Sequence, residues 1–112
     1  MPHQFVPSGR LYPPGFIRAY VDNKWVEDPV ALQVGYQQFL LQVGTADRAL
    51  GLFINRLKDL GIYDRALVVV VADHGISFRP HTHRRGNIRH AAFFEDVMSI
   101  PLFIKLPGQK TG

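Results

Sequence analysis

Between residues 36 and 57 the apolar positions fall at Tyr36, Phe39, Leu40, Val43, Leu50, Phe53, Ile54 and Leu57. This i, i+3, i+4, i+7 spacing predicts one long helix with a single buried face. Gln37, Gln38, Arg48, Asn55, Arg56, Lys58 and Asp59 occupy much of the other side. Asp28-Pro29 supplies the start, with Asp as N-cap and Pro at the first helical position, where an N–H has no helical partner anyway. Gly61 supplies the C-terminal cap. Gly35, Gly44 and Gly51 each weaken the interior by about 1 kcal/mol relative to Ala, and point to close packing or to a bend near Gly44.

Residues 66–72 form a continuous run in which Val predominates, the pattern of a central parallel strand covered on both faces. Residues 100–106 read as a second strand, with Pro101 near its start and Pro107-Gly108 at its end. Between them lie a polar stretch, 75–90, and a short apolar segment, Ala91–Met98, that reads as helical. Residues 1–27 sustain no period. Their prolines, glycines and scattered aromatics predict an extended segment lying on something larger. The order is loop, long helix, strand, loop, short helix, strand, which is an α/β arrangement with the long helix packed on a mainly parallel sheet. Two strands cannot cover both faces of the valine run. The remaining strands are therefore expected from outside the chain or from another copy, with 1–27 as an extended segment and 28–112 as a piece of α/β core.

A chain of 112 residues suits one small domain, and 46% hydrophobic residues exclude disorder by composition. The absence of cysteine excludes disulfides, thiolate metal sites and a cysteine nucleophile within the chain. A formal charge of +4 favours anionic partners such as sulfate esters, phosphate esters or nucleic acid. No apolar run approaches the roughly 20 residues of a membrane span. The opening MPHQFVPSGR has no apolar targeting segment.

The candidate chemistry begins at Asp73-His74-Gly75, immediately after the valine run. In open α/β sheets ligands bind beyond the carboxyl ends of strands. A carboxylate and an imidazole placed there can both ligate a divalent metal, and the pair suits Zn²⁺ or Mn²⁺ better than an all-oxygen Ca²⁺ site. Gly75 lets the backbone turn sharply. The tripeptide alone is equally what a strand-ending turn with a surface histidine would carry. Residues 79–90, RPHTHRRGNIRH, hold four arginines and three histidines. They read as a solvated basic loop or as an anion-binding loop over an active site. No nucleic-acid module surrounds them. His81 and His83 alternate and would share one face of a strand. Trp25, Phe93 and Phe94 read as packing residues rather than a substrate platform.

The stretch LGIYDRALVVVVADHG (60–75) closely resembles the signature of sulfatases within the alkaline phosphatase superfamily. SIPLFIKLPGQ (99–109) resembles the strand that follows it in bacterial membrane-anchored sulfatase-like hydrolases. PHQFVPSGRLYP (2–13) resembles the Pro-His and Pro-Ser-Gly-Arg elements of the same group.

The resemblance implies a partial alkaline phosphatase-like core from the C-terminal part of such an enzyme. Asp73 and His74 match the late pair of metal ligands, for Ca, Mn, Zn or Mg in the complete enzyme, and the chain alone need hold no ion. His3 matches a histidine near the anionic group of the substrate, and Arg84 and Arg85 are both candidates for the basic residue after the Asp-His-Gly loop. Asp47 and Gly51 fall on helix positions with structural roles. The family nucleophile, a Cys converted to formylglycine or a Ser or Thr, is expected upstream of Met1, in a missing N-terminal part of the domain. Little or no hydrolase activity is therefore expected of this chain alone. The implied parent is a membrane-anchored, extracytoplasmic sulfuric-ester hydrolase acting on a sulfate or phosphate ester. A phosphoryl or phosphoglycerol transferase of the same superfamily is the first alternative. A non-catalytic module, either assembling as a homo-oligomer or binding anions, is the second.

Overall fold

A computed structural model describes residues 8, 10, 20–85 and 91–110, the side chains of 91–93 excepted. The first regular element is a hairpin, β1 (Tyr20–Val21) paired antiparallel with β2 (Lys24–Trp25). Asp22 and Asn23 close it at φ 47° and 65°. Two consecutive left-handed residues make the tight turn that matches strand twist, and Asp and Asn tolerate that conformation better than other side-chain-bearing residues. The sequence reading placed this stretch in a loop, so the hairpin is a correction.

Helix α1 (Pro29–Asp59) starts where the sequence places it. The Asp28 carboxylate accepts from the Val30 N–H at 2.9 Å, and Pro29 occupies the first turn. The helix ends in a Schellman motif. Gly61 stands at φ +65°, its N–H donates to the Lys58 carbonyl at 2.9 Å, and the Ile62 N–H donates to the Leu57 carbonyl at 3.1 Å. The buried stripe is not the leucine-rich one. Ala31, Gly35 and Gln38 are buried, whereas Tyr36, Leu40 and Val43 are each at least 40% exposed. Phe78 lies on the helix at Tyr36 (ring centroids 5.1 Å) and Phe39 (5.3 Å).

A 3₁₀ turn (Tyr63–Arg65) leads into β3 (Val68–Val71), which pairs antiparallel with β4 (Leu102–Lys105) in the register Val68↔Lys105 to Val71↔Leu102. The α/β class holds, but both sheets among the described residues are antiparallel ribbons of two strands. The expected parallel sheet is corrected here, as is full burial of the valine run. Val69 and Val71 are half exposed, and with Leu102 and Ile104 opposite they form an open apolar face. Lys105 locks the ribbon to the 3₁₀ turn. Its Nζ donates to the carbonyls of Tyr63, Asp64 and Ala66 and sits 4.6 Å from the Tyr63 ring centroid.

Helix α2 (Ala91–Met98) forms where the apolar segment predicts it, and it positions the segment after β3. The Gly75 N–H donates to the Val97 carbonyl at 2.6 Å. A Cβ on Gly75 would run into the Asp96 carbonyl oxygen, a backbone atom that cannot swing aside. Gly75 has no positive φ. Its requirement is therefore close approach, not the sharp turn the sequence suggests. The Asp96 side chain completes the dock: it accepts from Arg79 Nε at 2.7 Å and Nη2 at 3.1 Å, and from Ser77 Oγ at 2.8 Å.

Two outcomes follow from this dock. Gly75→Ala should destabilise the fold by about 1–3 kcal/mol, the usual cost of overpacking a tight contact, and an unchanged denaturant midpoint would contradict it. The Arg79 bonds hold the Asp96 carboxyl below its usual range, against partial burial and with help from Ser77. A carboxylate whose folded pKa lies below its unfolded value stabilises fully above the unfolded value and loses that contribution as pH falls through the folded one. Below about pH 4, near the unfolded Asp value, the melting temperature of the wild type should fall more steeply than that of Asp96→Asn. Parallel curves for the two proteins would show that the pair contributes nothing.

Candidate functional site

Asp73 and His74 emerge two residues past the end of β3, where the chain leaves the ribbon. The Asp73 carboxylate uses Oδ1 to accept from the His74 N–H at 3.0 Å, which leaves Oδ2 free to turn toward the imidazole. His74 Nδ1 lies 2.7 Å from the Gly75 carbonyl oxygen. A carbonyl only accepts, so Nδ1 carries the proton and Nε2 presents its lone pair. Nε2 stands 3.7 Å from Asp73 Oδ2 and 3.4 Å from an Arg85 Nη1 donor. The Asp73 side chain is 89% exposed and that of His74 34%.

An oxygen and an imidazole nitrogen facing one another at this spacing fit a divalent cation by donor chemistry, and the Gly75 carbonyl, by accepting from Nδ1, fixes the ring with Nε2 outward, as a hydrogen-bond acceptor on the far nitrogen does for metal-bound histidines. The fit is that of two ligands. Among the described residues no group of three His, Cys, Asp or Glu side chains gathers round a point.

The two candidate arginines part company. Arg84 is half-buried, with its guanidinium 3.7 Å from the Tyr20 ring centroid and 5.2 Å from that of Trp25. Burial pushes its pKa down, with Tyr20 acting the other way. Its backbone N–H donates to the Asn23 carbonyl and its own carbonyl accepts from Ser77, so it stitches the hairpin to the segment after Asp73-His74. Arg85 is exposed and reaches His74. His3 lies outside the described residues, as do Arg89 and His90. His81 turns away in a left-handed conformation and faces Glu27 at 3.3 Å, while His83 pairs with Lys24 across an isolated bridge. The two histidines that share a strand face in the sequence reading thus serve separate contacts. Arg79, a member of the same basic run, is paired with Asp96.

A cavity of about 710 Å³ opens beside this pair, with His74 and Arg85 at its edge and Trp25, Tyr36 and Phe78 among its walls. Trp25 is 4% exposed and stacks on Phe78 at 4.9 Å, so it packs as expected, and its ring also closes one wall of the cavity. Phe94 is 46% exposed, so among the described residues its packing role does not appear. Sequence reasoning missed Asp96, Ser77 and Lys105. The signal available for Asp96 was the acidic pair Glu95-Asp96 inside an otherwise apolar short helix, which does not say which of the two is used. Gly51 faces open space, and Asp47 is exposed. No helix among the described residues is long and apolar enough to cross a membrane.

No curated protein and no solved structure matches the chain. The family model described as Sulfatase matches residues 2–112. That span takes in the valine strand, the Asp-His-Gly loop, the basic run and β4, and the chain belongs to the sulfatase family.

Proposed function

We infer that this chain contributes two metal ligands and one anion-facing arginine to a site that hydrolyses sulfuric esters. The observation that carries the reading is the convergence of Asp73 Oδ2, His74 Nε2 and the Arg85 guanidinium beside an open cavity. Asp73 and His74 would hold a divalent cation, which when bound supplies Lewis-acid stabilisation of negative charge on the transferring group. The Gly75 carbonyl holds the His74 ring in the tautomer that leaves Nε2 basic. Arg85 offers two parallel N–H donors to the oxygens of an anionic ester, a geometry that Lys cannot match. Arg84, clamped between aromatic rings, keeps the loop in place instead. The cavity gives the leaving group of the ester a partly aromatic wall. The same groups suit a phosphoryl ester, since Arg85 and a divalent cation would meet sulfuryl and phosphoryl oxygens alike.

Paramagnetic Mn²⁺ titrated into the ¹⁵N-labelled protein tests the reading even where binding is weak. Broadening should appear first at the amides of 73–75 and 85, and it should require about tenfold more Mn²⁺ in His74→Ala. Broadening that starts elsewhere, or that is unchanged by His74→Ala, would refute the assignment. Arg85→Ala should lose affinity for an aryl sulfate while Arg84→Ala loses thermal stability; the reverse pattern would exchange their roles.

A further inference from the structure

Asp96 lies on α2, far in sequence from the ligand pair, yet it touches what the pair depends on. Both of its carboxylate oxygens are taken. Oδ1 accepts from Arg79 Nη2 at 3.1 Å, and Oδ2 accepts from Arg79 Nε at 2.7 Å and from Ser77 Oγ at 2.8 Å. It is therefore not a spare metal ligand. Ser77, its partner, has 0% exposure. The Ser77 N–H donates to the Arg84 carbonyl at 3.1 Å, and its own carbonyl accepts from Trp25 Nε1 at 2.5 Å. Ser77 stands three residues after His74, and its partner Arg84 stands one before Arg85, so the same buried serine joins the two segments. The residue after Asp96 receives the Gly75 N–H, and the Asp96 carbonyl fills the space a Gly75 side chain would need.

We propose that Asp96 is a positioning residue: through Ser77 and Arg79 its carboxylate holds segment 74–79 against α2 and so sets where the Asp73–His74 pair and Arg85 stand relative to each other. The assignment of that pair rests on the sulfuric-ester reading above; the hold itself does not. Asp96→Asn keeps the shape and one acceptor oxygen but cannot accept from both guanidinium nitrogens. Arg79→Lys keeps the charge and loses the fork. Arg79 is largely exposed, so its replacement is the milder of the two.

Amide hydrogen exchange on the metal-free protein decides the matter. In Asp96→Asn the amides of Gly75 and Ser77 should exchange about tenfold faster while those in the middle of α1 keep their wild-type rates, because a local opening and not a global one has become easier. Arg79→Ala should do the same, and Arg79→Lys should recover part of the protection. The His74 ring ¹⁵N signals should move toward a mixture of tautomers in Asp96→Asn, a change that general loss of stability would not produce. Unchanged exchange at Gly75 and Ser77 would overturn the proposal, as would acceleration in step with α1. If the wild type shows no Mn²⁺ broadening at 73–75 but the exchange pattern appears, the metal reading fails and the hold of Asp96 on the segment stands.

Discussion

Ser77 is sealed from solvent, and each of its polar groups must therefore find a partner inside the fold. Its N–H, its carbonyl and its hydroxyl go to three different places: the basic segment at Arg84, the hairpin at Trp25 and helix α2 at Asp96. Leaving any one of them unmet in a buried site costs about 1–3 kcal/mol, a large fraction of what a small domain has to spare. Three elements distant in sequence are thus fixed on one residue, and Asp73-His74 stands only a few residues up the chain from it. Trp25, whose Nε1 meets the Ser77 carbonyl, is itself stacked on Phe78 and set edge-on to Tyr20.

The parts of the fold legible in the sequence are those set by local chemistry. Asp28-Pro29 and Gly61 mark the ends of α1 because capping and left-handed termination are decided by a few neighbouring residues. The extent of α2 and the approximate place of β4 were legible for the same reason. What was not legible depends on pairing at a distance. A valine run says strand, but its direction relative to its partner is set by the connection, and residues 72–101 bring β4 back antiparallel. The helix shows the same limit. Its leucines predict one buried face, yet Ala31, Gly35 and Gln38 are the buried positions and Phe78 meets the helix at Tyr36 and Phe39, because the choice of face is made by what packs against the helix and not by a count of its apolar positions.

The candidate site divides in the same way. Asp73 and His74 could be named from a motif, because adjacency in the chain alone brings their side chains together. The choice between Arg84 and Arg85 could not be made. They are the same residue type in consecutive positions, so nothing local to the chain tells one from the other. One lies against Tyr20 and Trp25; the other reaches His74. Only the position of the hairpin separates them, and the hairpin was itself read as loop.

The approach of Arg85 to His74 constrains how the site can be used. With Nδ1–H committed to the Gly75 carbonyl, the Arg85 N–H donates to the single lone pair on Nε2. That lone pair serves one partner at a time. On the reading proposed above, a divalent cation and the Arg85 guanidinium compete for it, and like charge adds to the competition. Arg85 must then find another acceptor, and the oxygens of an anionic ester are the acceptors such a site would bring. Because Arg85 is exposed, it can move without disturbing the core; Arg84, held by two rings and two backbone bonds, cannot. The neighbouring arginines thus divide the work between a fixed support and a movable anion partner, and it is the burial of the first that leaves the second free.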